Sequence, residues 1–266
     1  MTPTSHIPRK RFGQNFLIDP SVIDKIIQAI NPGQTDHIVE IGPGQGAITE
    51  FLIKRCRRLD AIELDKDLIP KLEKKFPFEN FHLTQFDALK FDYSNLYQDQ
   101  GLRVAGNLPY NISTPLLFHL LSQADIIKDM HFMLQKEVVD RLAAKPNTKA
   151  YGKLTVITQA QCDVTALFDI PPEAFNPPPK VQSAFVRLVP RSTPLISTEQ
   201  WQAFEKTVSA AFAHRRKTLR NNLKNNFELE KATNEIRGEI GAEIDLSRRA
   251  ESLSIDEFIK LSQILG

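Results

Sequence analysis

The chain has 266 residues, 41% of them apolar and 25% charged, with 34 Lys and Arg against 32 Asp and Glu for a formal net charge of +2. That is enough chain to bury a core, the composition excludes a disordered or collagen-like polymer, and the near-balanced charge neither demands nor excludes nucleic acid. Cys56 and Cys162 lack CxxC spacing, no run approaches the ~18 apolar residues of a membrane span, and the apolar stretch after Arg9-Lys10-Arg11 is too short for a signal peptide, so a cytoplasmic protein with neither metal nor membrane attachment is expected.

From His37 onward, strand-like and helix-like stretches alternate. A β-branched strand over 38–41 runs into glycines, and apolar Ile48, Phe51 and Leu52 then mark a helix over 47–55. A strand over 59–63 and a helix over 68–76 follow. Further strands are expected over 81–84, 103–105 and 130–134, with a helix over 115–121 between the last two. Such alternation indicates βαβ units and a mostly parallel, Rossmann-like sheet. Two later strands, 164–168 and 181–188, flank a turn over 171–179 that holds five of the 17 prolines, which favours an antiparallel edge. Residues 190–194 read as a linker, and helices are expected over 201–213, 215–225 and 255–265. The chain should therefore be an α/β domain over 1–189, with an N-terminal arm over 1–20, followed by a small all-helical domain over 190–266.

Gly42-Pro43-Gly44-Gln45-Gly46-Ala47 follows a strand and should open a helix. Glycines permit the tight turn and close approach of a ligand, while helix N-terminal N–H groups stay unpaired. Glu63 ends the next strand, where a carboxylate can bind two ribose hydroxyls, and Asp87 after the third could accept from an adenine amine. A nucleoside-containing cofactor is implied. The turn fits the dinucleotide fingerprint of NAD enzymes and, at least as well, the turn of S-adenosylmethionine-dependent methyltransferases. Taken alone, Asp87 reads as a helix or turn cap.

Asn107-Leu108-Pro109-Tyr110 closes the fourth strand. An exocyclic adenine amine is a poor nucleophile, because its lone pair is delocalised into the ring. The Asn107 amide oxygen and the Leu108 or Pro109 carbonyl can accept its two hydrogens and favour a localised lone pair. Tyr110 offers a stacking face worth roughly 1–3 kcal/mol. A sulfonium donor is already activated, so alignment rather than a general base is the protein's task. The six histidines show no ligand spacing.

These motifs resemble the KsgA-type small-subunit rRNA adenine N6,N6-dimethyltransferases, class I methyltransferases related to the Erm macrolide-resistance enzymes. The likeness extends to Arg9-Lys10-Arg11-Phe12-Gly13-Gln14-Asn15-Phe16-Leu17, Phe175-Asn176-Pro177-Pro178-Pro179-Lys180-Val181-Gln182-Ser183 and Arg215-Arg216-Lys217-Thr218-Leu219-Arg220-Asn221-Asn222-Leu223. It implies that Asn15 and Leu17 close over S-adenosylmethionine, that Gly42, Gly44, Glu63, Asp87 and Asn107 contact it, and that Phe175 stacks on the target adenine opposite Tyr110. The implied substrate is two adjacent adenosines in a hairpin loop of small-subunit rRNA, in immature small ribosomal subunits. Arg215, Arg216, Lys217, Arg220 and Lys224 would crowd one helix and suit phosphate contacts. Lys54, Arg55, Arg57 and Arg58 read as ordinary surface. Three competing functions are an NAD-dependent oxidoreductase, an assembly or transcription factor relying on binding alone, and an adenine-specific DNA methyltransferase.

Overall fold

In the computed structural model, residues 14–98, 100–224 and 244–265 are described. The expected arm is therefore seen only from Gln14, and the basic Arg9-Lys10-Arg11 lies outside the described residues.

The first elements are β1 (Phe16–Leu17) and α1 (Pro20–Ile30). Asp19 caps α1 by accepting from the Ser21 and Val22 N–H groups, and Pro20 occupies the first turn, where no N–H partner is lost. The helix buries Val22, Ile23, Ile26, Ile27 and Ile30, a stripe at helical spacing. This helix was not among the elements expected from the sequence.

Next come β2 (His37–Ile41), α2 (Thr49–Leu52), β3 (Arg58–Glu63), α3 (Ile69–Lys75), β4 (Phe81–Gln85) and β5 (Leu102–Asn107). Helix α2 is shorter than the expected 47–55. Gly42, Gly44 and Gly46 adopt φ of 65°, 59° and 79°, so the turn continues to residue 48 before a helix can begin. Then follow α4 (Ser113–Leu121), β6 (Ile127–Gln135), α5 (Lys136–Leu142), α6 (Lys153–Gln161), β7 (Cys162–Ile170), β8 (Phe175–Asn176) and β9 (Ser183–Pro190).

The main sheet has the order β4-β3-β2-β5-β6-β9-β7. Strands β2 to β6 pair in parallel, whereas β9 runs antiparallel to β6, from Gln135 opposite Ser183 to Met130 opposite Leu188. The chain leaves β2 toward β3 and β4, then returns to lay β5 on the other side of β2. That reversal opens a crevice beyond the C-terminal ends of β2 and β5, where such sheets bind ligands. A separate ribbon pairs β1 with β8, Leu17 opposite Phe175.

Helices α7 (Thr198–Ala211), α8 (Leu219–Leu223) and α9 (Ile255–Leu265) complete the described fold. The expected helix over 215–225 is only α8. Arg215 to Lys217 stand in a turn closed by the Lys217 N–H donating to the His214 carbonyl. The chain falls into two compact units, Met1–Val139 with Thr165–Pro190, and Asp140–Val164 with Arg191–Gly266. One edge of this partition lies beside the expected division at 189/190, but residues 140–164 group with the second unit. There α6 packs on α7 and α9. Phe212 stacks on Phe258 at 5.6 Å. The Tyr151 hydroxyl donates to the Leu253 carbonyl at 2.8 Å. Among the described residues, no helix is long and apolar enough to cross a membrane.

Candidate active site

A cavity of about 300 Å³ lies at the C-terminal ends of β2, β3, β4 and β5, within the first unit. Its wall includes Asn15, Leu17, Gly42, Gly44, Glu63, Asp87 and the whole tetrad Asn107, Leu108, Pro109 and Tyr110. Parallel strands ending side by side bring these distant segments together.

Glu63 is held by two backbone donors, the Asp65 N–H at 2.8 Å and the Gly44 N–H at 3.3 Å. The turn thus spends one of its N–H groups on the protein's own carboxylate, an arrangement not expected from the sequence. Burial pushes the Glu63 carboxyl above its usual range, and these two N–H groups oppose the rise. Glu40, also in the wall, was not singled out from the sequence. It is 1% exposed and accepts from the Thr49 hydroxyl at 2.7 Å. Burial, with the Glu63 charge adding to it, pushes its carboxyl up to about 8 despite the Thr49 bond. An acid flanked by Ile38, Val39 and Ile41 was the available signal.

Asp87 caps a turn, its Oδ1 accepting from the Leu89 N–H at 3.0 Å, and it lines the cavity as well. The two readings of that residue are therefore compatible. Glu40, Glu63 and Asp87 make three acids in the wall, and among the described residues no Lys, Arg or His lines it.

The Asn107 Nδ2 donates to the Asn15 carbonyl at 2.9 Å. A carbonyl can only accept, so this bond fixes which end of the amide is NH2 and leaves Oδ1 as the acceptor. The Leu108 N–H donates to the Met133 carbonyl at 3.2 Å, and the Pro109 carbonyl accepts from the Ile112 N–H at 3.1 Å. Tyr110 is half-buried, its hydroxyl 2.8 Å from the Ser183 hydroxyl. Gln14 Nε2 donates to Asp65 at 2.9 Å, tying the first described residue to the turn after Glu63.

The sequence profile of the ribosomal RNA adenine dimethylase family matches residues 6–265. The chain belongs to that family. It is 55% identical to the ribosomal RNA small subunit methyltransferase A of Saccharophagus degradans, over 98% of this chain and 95% of the relative. It is 52% identical to the protein of that name in Pseudomonas syringae pv. tomato, over 98% and 96%. Among solved structures, a dimethyladenosine transferase from Plasmodium falciparum aligns with a TM-score of 0.81 at 27% identity, covering 92% of this chain and 95% of that one. The 23S rRNA methyltransferase ErmE shares the fold, with a TM-score of 0.72 at 22% identity over 94% and 99%.

In this member of the dimethylase family, Phe175 does not reach the cavity. It is 3% exposed, lies opposite Leu17 in the ribbon, and belongs to the core cluster with Phe16 and Phe185. The structure thus places Phe175 in the core beside the ribbon and does not bring it to the cavity wall with Tyr110. In the second unit, Arg215, Arg216, Lys217, Arg220 and Lys224 are all exposed, and Arg215 also donates to the Lys149 carbonyl and to Glu251. Among the described residues no group of His, Cys, Asp and Glu could hold a metal ion.

Proposed function

We propose that the protein transfers methyl groups from S-adenosylmethionine to N6 of two adjacent adenosines in a hairpin loop near the 3′ end of 16S rRNA, dimethylating each. The observation that carries this reading is the meeting, at one cavity, of a three-acid wall with an Asn107 amide whose orientation is fixed. A wall without basic side chains suits a ligand bearing sulfonium and ammonium charges. It suits poorly the pyrophosphate of NAD, which needs cations or free N–H groups, and here the Gly44 N–H is already given to Glu63.

Glu63 would hold the ribose hydroxyls, Asp87 the cofactor's adenine amine, and Asn15, Leu17, Gly42 and Gly44 the remaining edges. The cofactor supplies a methyl group already activated for displacement. The protein's own part is alignment. Asn107 Oδ1 accepts one hydrogen of the target amine. The Leu108 or Pro109 carbonyl accepts the other, the Pro109 oxygen keeping a second lone pair beside its bond from the Ile112 N–H. Tyr110 supplies the stacking face, and Phe175 supports it at a distance by holding the β1–β8 ribbon. No base has to act first, because the nitrogen sheds its proton once methylation has made it cationic.

A loop target costs least to unstack, which matches a pocket taking an extruded base. Arg216, Lys217 and Arg220 would contact rRNA phosphates in an immature small subunit in the cytoplasm. Asn107→Ala should lower formation of dimethyladenosine by two or more orders of magnitude, read by mass spectrometry of rRNA nucleosides, with cofactor affinity retained by calorimetry. Near-normal methylation would remove Asn107 from the chemistry, and lost cofactor binding would mean that its role lies there instead.

A further inference from the structure

Ser183 is the first residue of β9 and has no solvent-exposed surface. It stands opposite Gln135 at the end of β6, one strand further from β5 than the tetrad's own neighbour Met133. The Tyr110 hydroxyl meets the Ser183 hydroxyl at 2.8 Å. A buried hydroxyl without a partner costs free energy, so each group holds the other in place. Tyr110 lies in the loop between β5 and α4, and loops position side chains less sharply than strands do. The hydrogen bond lends it the rigidity of the central sheet.

We propose that Ser183 is a positioning residue for methyl transfer, fixing the plane of the Tyr110 ring so that the target adenine stacks in line with Asn107. This rests on the reading of Tyr110 as the stacking face. Ser183 touches neither reactant: it is absent from the cavity wall, whereas Tyr110 is part of it. Loss of the bond leaves the ring present but free to rotate. The base is then misaligned rather than unbound, since most RNA affinity comes from phosphate contacts. The effect therefore belongs in kcat and not in the KM for RNA.

The test compares Ser183→Ala, Tyr110→Phe, the double variant, Ser183→Thr and Tyr110→Ala, each as full-length protein assayed on undermethylated small subunits. Ser183→Ala and Tyr110→Phe should each lower kcat about fivefold, the worth of one hydrogen bond. The double variant should be no worse than either, and Ser183→Thr should restore the rate. RNA KM and calorimetric affinity for S-adenosylmethionine should stay within twofold. Multiplying effects in the double variant would overturn the proposal, as would Ser183→Ala at wild-type kcat while Tyr110→Ala is impaired. A parallel fall in melting temperature and cofactor affinity without rescue by Thr would make Ser183 a packing residue and overturn it equally. Wild-type activity in Tyr110→Ala would instead remove the stacking reading, and the positioning role with it.

Discussion

Glu40 sits inside β2 with its carboxyl against the Thr49 hydroxyl and with Glu63 near enough to raise it further. Its ordinary value is 4.5, and in the fold it reaches about 8. Between these values the folded chain keeps a proton that the unfolded chain has released, so stability falls as pH rises from about 4.5 to about 8 and levels off above. Gln at this position keeps an acceptor for Thr49 and removes the charge. Glu40→Gln should melt close to wild type at pH 5 and roughly 5 °C or more above it at pH 9, since each pKa unit is worth ~1.4 kcal/mol. A melting difference that does not change with pH would remove the buried charge from the account. The same reasoning gives the acid a purpose, because a cationic ligand entering the cavity offsets the charge that the empty site disfavours. Affinity for S-adenosylmethionine should accordingly fall in Glu40→Gln while the bare protein gains stability. Gain of stability at the expense of a ligand is the usual mark of a functional carboxylate.

At the opposite ends of the strands, Arg103 of β5 ties several elements together. It donates to both Asp129 oxygens at 3.0 Å, to Asp36 at 2.5 Å, and to the Ile30 and Asn31 carbonyls that end α1 at 2.6 and 3.2 Å. Burial alone would raise Asp129, but hydrogen bonds from His131 and Arg103, with the Arg103 charge, bring it down to about 2. Arg103→Met keeps bulk yet removes the guanidinium from buried Asp129 and leaves Asp36 only Lys128, 3.7 Å away, which should cost about 3–5 kcal/mol at pH 7. The loss should shrink in acid, where the variant's carboxylates protonate; denaturant titrations at pH 7 and pH 4 check this, and equal losses at both would contradict it. None of this cluster was legible in the sequence, because Arg103 meets Asp129 only through the pairing of β5 with β6, and Asp36 only because β2, which it precedes, lies beside β5. The strands and the tetrad were legible, since β-branched runs ending in glycine or asparagine carry a local signal. Helix α1 carries a signal too, in its Asp19-Pro20 start and its isoleucine spacing, but it precedes the strand–helix alternation that begins at His37. Helix α6 carries none, for it buries Leu154, Thr155, Val156, Ile157, Thr158 and Ala160 and so shows no polar face to set a period. The burial of Phe175 was not legible for a related reason: a motif gives neighbours in sequence, while the residue opposite it in the ribbon, Leu17, lies over 150 residues away.

Across the whole molecule, a formal charge of +2 conceals a separation by place. Among the described residues the cavity of the first unit is walled by acids without a base, and the second unit carries the exposed run Arg216, Lys217, Arg220 and Lys224. On the proposed function, Glu63 and Asp87 disfavour phosphates at the cavity, so RNA would gain its affinity elsewhere while a base alone enters the pocket. The exposed run is the candidate for that affinity, and its members are not equivalent. Arg215 spends its guanidinium on the Lys149 carbonyl and Glu251 within the same unit, and so serves the fold of the turn. Arg216, Lys217 and Arg220 project from the turn and from α8 with exposed side chains. Removing one cation from a phosphate lowers the slope of log affinity against log salt by about 0.7 to 0.9. Replacing Arg216, Lys217 and Arg220 together with alanine should therefore reduce that slope by about 2 to 3, with cofactor affinity and melting temperature unchanged. Arg215→Ala should do the reverse, lowering the melting temperature and moving the slope little. Filter-binding titrations of small-subunit rRNA between low and moderate salt would read both. If the triple variant keeps the wild-type slope, the cations face solvent alone and the phosphate-binding face must be sought among other side chains of the chain.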